Sequence, residues 1–73
     1  MARNLEEIIE DAQKSTEIEE LINLWNEIVL HKYEYALNEI YDANKKIREL
    51  ALKSNGSDYE KGHFYNNLKQ MVN

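Results

Sequence analysis

The sequence predicts an all-α protein, a helical hairpin or bundle built on one long central helix. Three observations predict it. There is no proline and there are only two glycines, Gly56 and Gly62, in 73 residues, so little interrupts helical backbone. Three short polar residues, Asn4, Thr16 and Ser57, each precede a glutamate by three positions (Glu7, Glu19 and Glu60), the spacing of a capping box. Between Ile18 and Leu50 the apolar residues keep one helical phase.

The first helix is predicted at about 5–13. Asn4 caps it, the acids of its first turn suit the helix dipole, and Leu5, Ile8, Ile9 and Ala12 form its apolar stripe. The central helix is predicted at about 17–53, capped by Thr16. Its stripe is Ile18, Ile22, Trp25, Val29, Ala36, Ile40, Ala43, Ile47 and Leu50, all within roughly 40° of one line at about 100° per residue. The phase does not slip at "VLHKYEY", which favours one continuous helix; a kink or short loop near His31–Tyr33 is the alternative. Lys53 in the last turn and Asn55-Gly56 in a left-handed C-cap would end it. The third helix is predicted at about 58–71, capped by Ser57, with Phe64, Leu68, Met71 and Val72 on its apolar side. The expected core is therefore Ile18, Ile22, Trp25, Val29, Ala36, Ile40, Ile47, Leu50, Phe64 and Leu68. Residues 1–73 are expected to form a single helical domain with no linker.

A continuous central helix of that length would span about 55 Å, while a compact chain of this size is only about 30 Å across. The flanking helices cannot cover it, so a second copy is expected. Leu30, Tyr33, Leu37 and Tyr41 form a second stripe about 100° from the first and are the expected self-association surface of a homodimer. A partner subunit also suits a chain this short, which buries only about 60% of its unfolded surface. With no cysteine, neither disulfides nor thiolate metal sites contribute.

The opening "MARNLEEIIEDAQ" has one arginine and no apolar core, so it does not read as a signal peptide. No apolar run approaches the ~20 residues that span a bilayer. A soluble, cytoplasmic protein without membrane contact is expected. Asn55-Gly56-Ser57 matches a glycosylation acceptor but reads as a turn.

Charge divides the chain. Residues 1–42 hold eleven acids against Arg3, Lys14 and Lys32, a net −8; residues 43–73 hold six bases against three acids, a net +3. On a continuous helix Glu20, Glu27 and Glu34 recur every seven residues opposite the core stripe. With Glu6, Glu7, Glu10, Asp11 and Glu17 they would form an acidic face. Such a face attracts a basic surface, including the nucleic-acid site of another protein.

Enzyme signatures are missing. There is no glycine-rich phosphate loop and no nucleophile spaced from a base. Glu60 and His63 have the i, i+3 spacing of di-iron bundles, and Glu27 and His31 could supply half a zinc site, but neither pair has its remaining ligands in the pattern. No metal and no cofactor is expected. The basic, aromatic C-terminal third ("NKKIREL", "YEKGHFYNNLK") could grip single-stranded nucleic acid weakly, against repulsion from the acidic half.

The stretch "DAQKSTEIEELINLWNEI" resembles the helical segments that close some phage recombination proteins, where a small helical tail docks onto partner proteins. It covers about a quarter of the chain. The resemblance rests on a capped amphipathic helix with one tryptophan and implies no role for any single residue. The abundance of Asn, Lys, Ile and Tyr also suits a small protein of a phage or mobile element. The expected function is a small acidic, non-enzymatic protein-binding module, an inhibitor or modulator of a host nucleic-acid-associated protein. The alternatives are a self-assembling structural or scaffold protein and a weak nucleic-acid binder.

Overall fold

The chain folds into four helices: α1 (Leu5–Lys14), α2 (Ile18–Leu30), α3 (Leu37–Lys53) and α4 (Asp58–Gln70), with a 3-10 turn at Lys32–Glu34. The structure is a computed structural model and describes residues 2–71; Val72, expected on the last apolar stripe, lies outside them. The described residues are all-α. Their one β-type feature is an isolated parallel bridge between Glu17 and Asn55. No helix among them is long and apolar enough to cross a membrane.

Two of the three expected caps are formed. The Asn4 side chain accepts from the Glu6 N–H at 2.8 Å and starts α1. Ser57 Oγ accepts from the Glu60 N–H at 3.1 Å and starts α4. At α2 the cap is one residue later than expected. Glu17 is the N-cap, and the Glu20 carboxylate reaches back to the N–H groups of Thr16 and Glu17 at 3.3 and 3.2 Å.

The long helix of 17–53 is not formed as one piece. Tyr35 and Ala36 are extended, and the chain doubles back so that α2 and α3 pack as a hairpin. The start of α2 lies beside the end of α3, joined by Ile18 N–H to Asn55 O at 2.8 Å and Asn55 N–H to Thr16 O at 2.7 Å. The physical reason is coverage. An unbroken helix would leave its apolar stripe in water, whereas folding back costs a few intrahelical hydrogen bonds and buries both halves against each other. Each fully buried Leu or Ile contributes about 1.5–3 kcal/mol, which outweighs net hydrogen-bond losses of about 1 kcal/mol each. Part of the loss is recovered at α3, where the Ala36 N–H donates to Glu39 Oε1 at 3.2 Å. The molecule measures 32 × 27 × 16 Å with a radius of gyration of 11.4 Å, close to the ~11 Å expected for its length. With the helix broken, length no longer requires a second copy.

The buried face of α2 is also turned. Ile18, Leu21, Trp25 and Ile28 are buried, about 50° round the helix from the expected line. Ile22 and Val29, and likewise Ile40 and Leu50 on α3, are only half-buried against the core. Ala36 is exposed in the connector and is not core. Ile47, Phe64 and Leu68 are buried as expected, with Leu5, Ile8, Ile9 and Ala12 of α1 and with Ala43 and Ala51 of α3. Helix α3 touches all three other helices, and alanines on its core side permit that close approach.

The α3–α4 turn differs in detail from expectation. Ser54, in extended conformation, caps α3, and Asn55 is not left-handed. Gly56 is required by space instead: a Cβ there would fall inside contact distance of the Ile18 side chain.

Candidate functional site

The residues expected in an acidic face do not lie on one ridge. Glu20 is occupied in capping α2. Glu27 faces Arg3, which donates to both its carboxylate oxygens at 2.8 and 2.9 Å and to Asp11 at 2.6 Å. Glu34 follows the helix break and pairs with His31 Nδ1 at 3.0 Å. Glu20 and Glu27 share a groove with Asp11 and Lys14, but Glu34 lies beyond the helix break and is not part of it. Glu7 and Glu17 are exposed.

Arg3 is a structural hub that sequence reasoning did not single out. Its fork binds Glu27 in the two-pronged manner that guanidinium geometry favours. Its carbonyl accepts from the Tyr35 hydroxyl at 2.6 Å. The N-terminal strap is thus tied both to α2 and to the α2–α3 connector. The hydrogen bonds from Arg3 hold the Glu27 carboxyl below its ordinary range. Partial burial, helped by Glu27 and Glu34, raises the Tyr35 phenol above its own. One arginine set among the acids of residues 1–42 was the available signal.

Folding back creates an acidic groove that the linear pattern did not contain. Glu6 and Glu10 of α1 and Glu39 and Asp42 of α3 line a groove of about 350 Å³ whose apolar side is Leu5, Ile9 and Ala43. Lys46 is the single cation lining it. Glu6 and Glu10 were expected in an acidic face; Glu39 and Asp42 join them only because α3 packs on α1. Glu6 and Glu39 stand in the first turns of their helices, where acids suit the dipole, while like charges one turn apart cost about 0.2–0.5 kcal/mol per pair.

The opposite side of α3 is apolar. Leu30, Tyr33, Leu37 and Tyr41 are all exposed, at 77%, 92%, 63% and 43%. Leu30 ends α2, Tyr33 lies in the connector and Leu37 begins α3, and Met71 at the end of α4 is exposed beside Leu37 and Tyr41. Leu37, Tyr41 and Met71 line a cavity of about 130 Å³ that reaches down to Trp25 and Asn44. Asn44 is 1% exposed. Its Nδ2 donates to the Leu68 carbonyl at 2.9 Å, while its Oδ1 has no partner. The amide cannot be turned round to relieve this, because the Leu68 carbonyl can only accept. A buried acceptor left unpaired costs about 1–3 kcal/mol. Asn44 was missed because an asparagine inside a helical pattern reads as surface.

Among the described residues no group of histidines and acids is arranged to hold a metal ion. His63 stacks on Tyr59, rings parallel within 4° and centroids 6.0 Å apart. Compared with protein-family models, with curated proteins and with solved structures, the chain matches none.

Proposed function

We propose that this chain is a non-enzymatic protein-binding module that takes a basic, amphipathic segment of another protein in the α1–α3 groove and thereby inhibits or modulates it. One observation carries the reading: four carboxylates from two helices converge over an apolar floor with one lysine beside them. A partner helix with Lys or Arg along one edge and apolar residues along the next matches that layout. Positive surfaces of this kind are common where proteins grip nucleic acid, so a nucleic-acid-associated target in the cytoplasm fits the same chemistry. Nucleic acid itself would be repelled by the groove.

The test uses the intact chain and a variant in which Glu6, Glu10 and Glu39 become Gln and Asp42 becomes Asn. Gln at position 39 still accepts the Ala36 N–H, so the α3 cap is kept. A lysine-rich amphipathic peptide should bind the wild type, weaken steeply with salt, and lose most of its affinity for the variant while helicity is unchanged. Equal binding to both proteins would remove the groove from consideration.

Self-association is a second reading, favoured by the exposed Leu30, Tyr33, Leu37 and Tyr41. It does not compete with the first, since the groove and the apolar corner occupy opposite sides of α3.

A further inference from the structure

We propose that the α2–α3 connector is a hinge through which two copies of the chain exchange halves. In each copy α2 runs on into α3 as one helix, and α1–α2 of one copy packs on α3–α4 of the other. The inference rests on the self-association reading and says how the two chains are joined.

The junctions between helices give the first argument. The α1–α2 junction ends in a cap, where the Glu20 carboxylate takes the N–H groups of Thr16 and Glu17. The α3–α4 junction holds Gly56 and the capping Ser57. The α2–α3 junction has no such chemistry. No glycine and no proline stands between Glu17 and Lys53. Helix α2 ends at His31 without a left-handed residue, and α3 starts on Ala36, which has no side chain that could cap it. Lys32–Glu34 is already a turn of 3-10 helix, which leaves Tyr35 and Ala36 as the extended pair. A continuous helix would give the uncapped N–H groups at the start of α3 their carbonyl partners.

Register is the second argument. On an unbroken helix of about 100° per residue, Ile18, Trp25, Ala43 and Ile47 fall within about 20° of one line. All four are buried in the hairpin. Straightening the connector therefore keeps the core residues of both halves on one side. Two such helices, antiparallel about a two-fold axis, remake between copies the packing that the hairpin makes within one, which is why exchange of this kind is a low-cost route to a dimer.

The exposed apolar surface is the third argument. Exchange sets the two connectors side by side at the axis, and Leu30, Tyr33, Leu37, Tyr41 and Met71 are exposed at that end of the molecule. Their exposed parts come to roughly 700 Å², near the ~800 Å² one partner contributes to a standard interface. Covering this surface offsets the loss of the Tyr35 hydroxyl bond to the Arg3 carbonyl, 2.6 Å in the closed hairpin. The acidic groove becomes a shared site, with Glu6 and Glu10 from one chain and Glu39 and Asp42 from the other.

Sedimentation equilibrium of the wild type and Ala36→Pro tests this, with circular dichroism as the check on folding. The hairpin accepts the proline: Ala36 has φ −69 and ψ 145, and Tyr35 before it has φ −117 and ψ 152, as proline and its predecessor require. Only the Ala36 N–H bond to Glu39 is lost. The interior of a continuous helix does not accept it. The wild type should be a dimer at micromolar concentration, and Ala36→Pro should raise the dissociation constant at least about a hundredfold. As a second measurement, spin labels go on Glu19→Cys and Lys53→Cys of one chain, diluted into excess unlabelled wild type. They should lie about 50 Å apart in the exchanged dimer, whereas in the closed hairpin they stay adjacent, at the end where Ile18 N–H meets Asn55 O. A monomeric wild type would overturn both the self-association reading and this inference. A dimer whose labels stay adjacent, or one that folded Ala36→Pro leaves equally tight, would keep self-association and overturn the exchange. Should Ala36→Pro lose its helicity, the label distance alone decides.

Discussion

Helix α3 has two unlike exposed sides, and they differ in what water does to them. On one side Glu39 and Asp42 face Glu6 and Glu10 across a groove, and every carboxylate there is content with solvent. On the other, Leu37 and Tyr41 stand in water beside a small apolar cavity that they help to line. The first side can exist alone indefinitely and gains from a partner mainly through charge, which acts on encounter and specificity. A partner on the second would gain chiefly by burying apolar area. The same two turns of one helix thus present a salt-sensitive surface and a salt-insensitive one.

The largest effects should lie on the apolar side. Trp25 is 6% exposed and forms part of the inner wall of the cavity. Trp25→Ala should cost about 3–5 kcal/mol, a large fraction of the ~4–10 kcal/mol that a chain of this length commands. Thermal unfolding would check it; a near-unchanged midpoint would mean that Trp25 carries surface rather than core.

A middle-sized effect is expected at the far end of the hairpin, which is closed where the corner is open. There Gly56 packs against Ile18 with no room for a Cβ, next to the Glu17–Asn55 bridge. Gly56→Ala should destabilise by about 1–3 kcal/mol through overpacking, measured by urea unfolding. The exposed Gly62, where an added Cβ meets nothing, is the control: Gly62→Ala should stabilise α4 by up to about 1 kcal/mol.

The smallest effect belongs to the charged network. Glu27 is held below its ordinary range by Arg3. A depressed carboxyl contributes stability that is fully present above its unfolded value, near 4.5, and that is lost as pH falls through the folded value. Both partners are about a third exposed, so the pair should be worth no more than about 1 kcal/mol. Arg3→Met should lower stability slightly at pH 7, and the gap to wild type should close at low pH. A gap that persists below pH 3 would mean that Arg3 acts through packing or through its contacts with the connector.

The two sides of α3 were unequally legible in the sequence. The helix starts at Asn4 and Ser57 could be read because capping is local chemistry. The exposed stripe of Leu30, Tyr33, Leu37 and Tyr41 was visible as a surplus of apolar surface. The break between α2 and α3 was legible only as the alternative near His31–Tyr33, for two reasons. Periodicity records angle and not distance, so a connector of about six residues can preserve phase by chance. Ala36 also lacks a capping side chain, leaving only Glu39 as half a signal. Missing the break moved Ala36 into the core, turned the α2 face from Leu21 and Ile28 toward Ile22 and Val29, and extended the line of Glu20 and Glu27 to Glu34, which lies beyond α2. The groove was invisible for the same reason, because Glu39 and Asp42 meet α1 only after the chain has doubled back.

The division of labour on α3 is tested most directly by sedimentation of a fluorescent lysine-rich amphipathic helix with either the wild type or the groove variant (Glu6→Gln, Glu10→Gln, Glu39→Gln, Asp42→Asn), at low and high salt. One experiment then reads both sides at once: the peptide reports the groove, and the mass of the protein reports the corner. The peptide should travel with the wild type at low salt, separate from it at high salt, and fail to travel with the variant at either, while the protein keeps the mass of two chains throughout. Peptide bound equally by the variant, or a protein mass that halves when the groove is neutralised, would contradict the assignment of separate roles to the two sides.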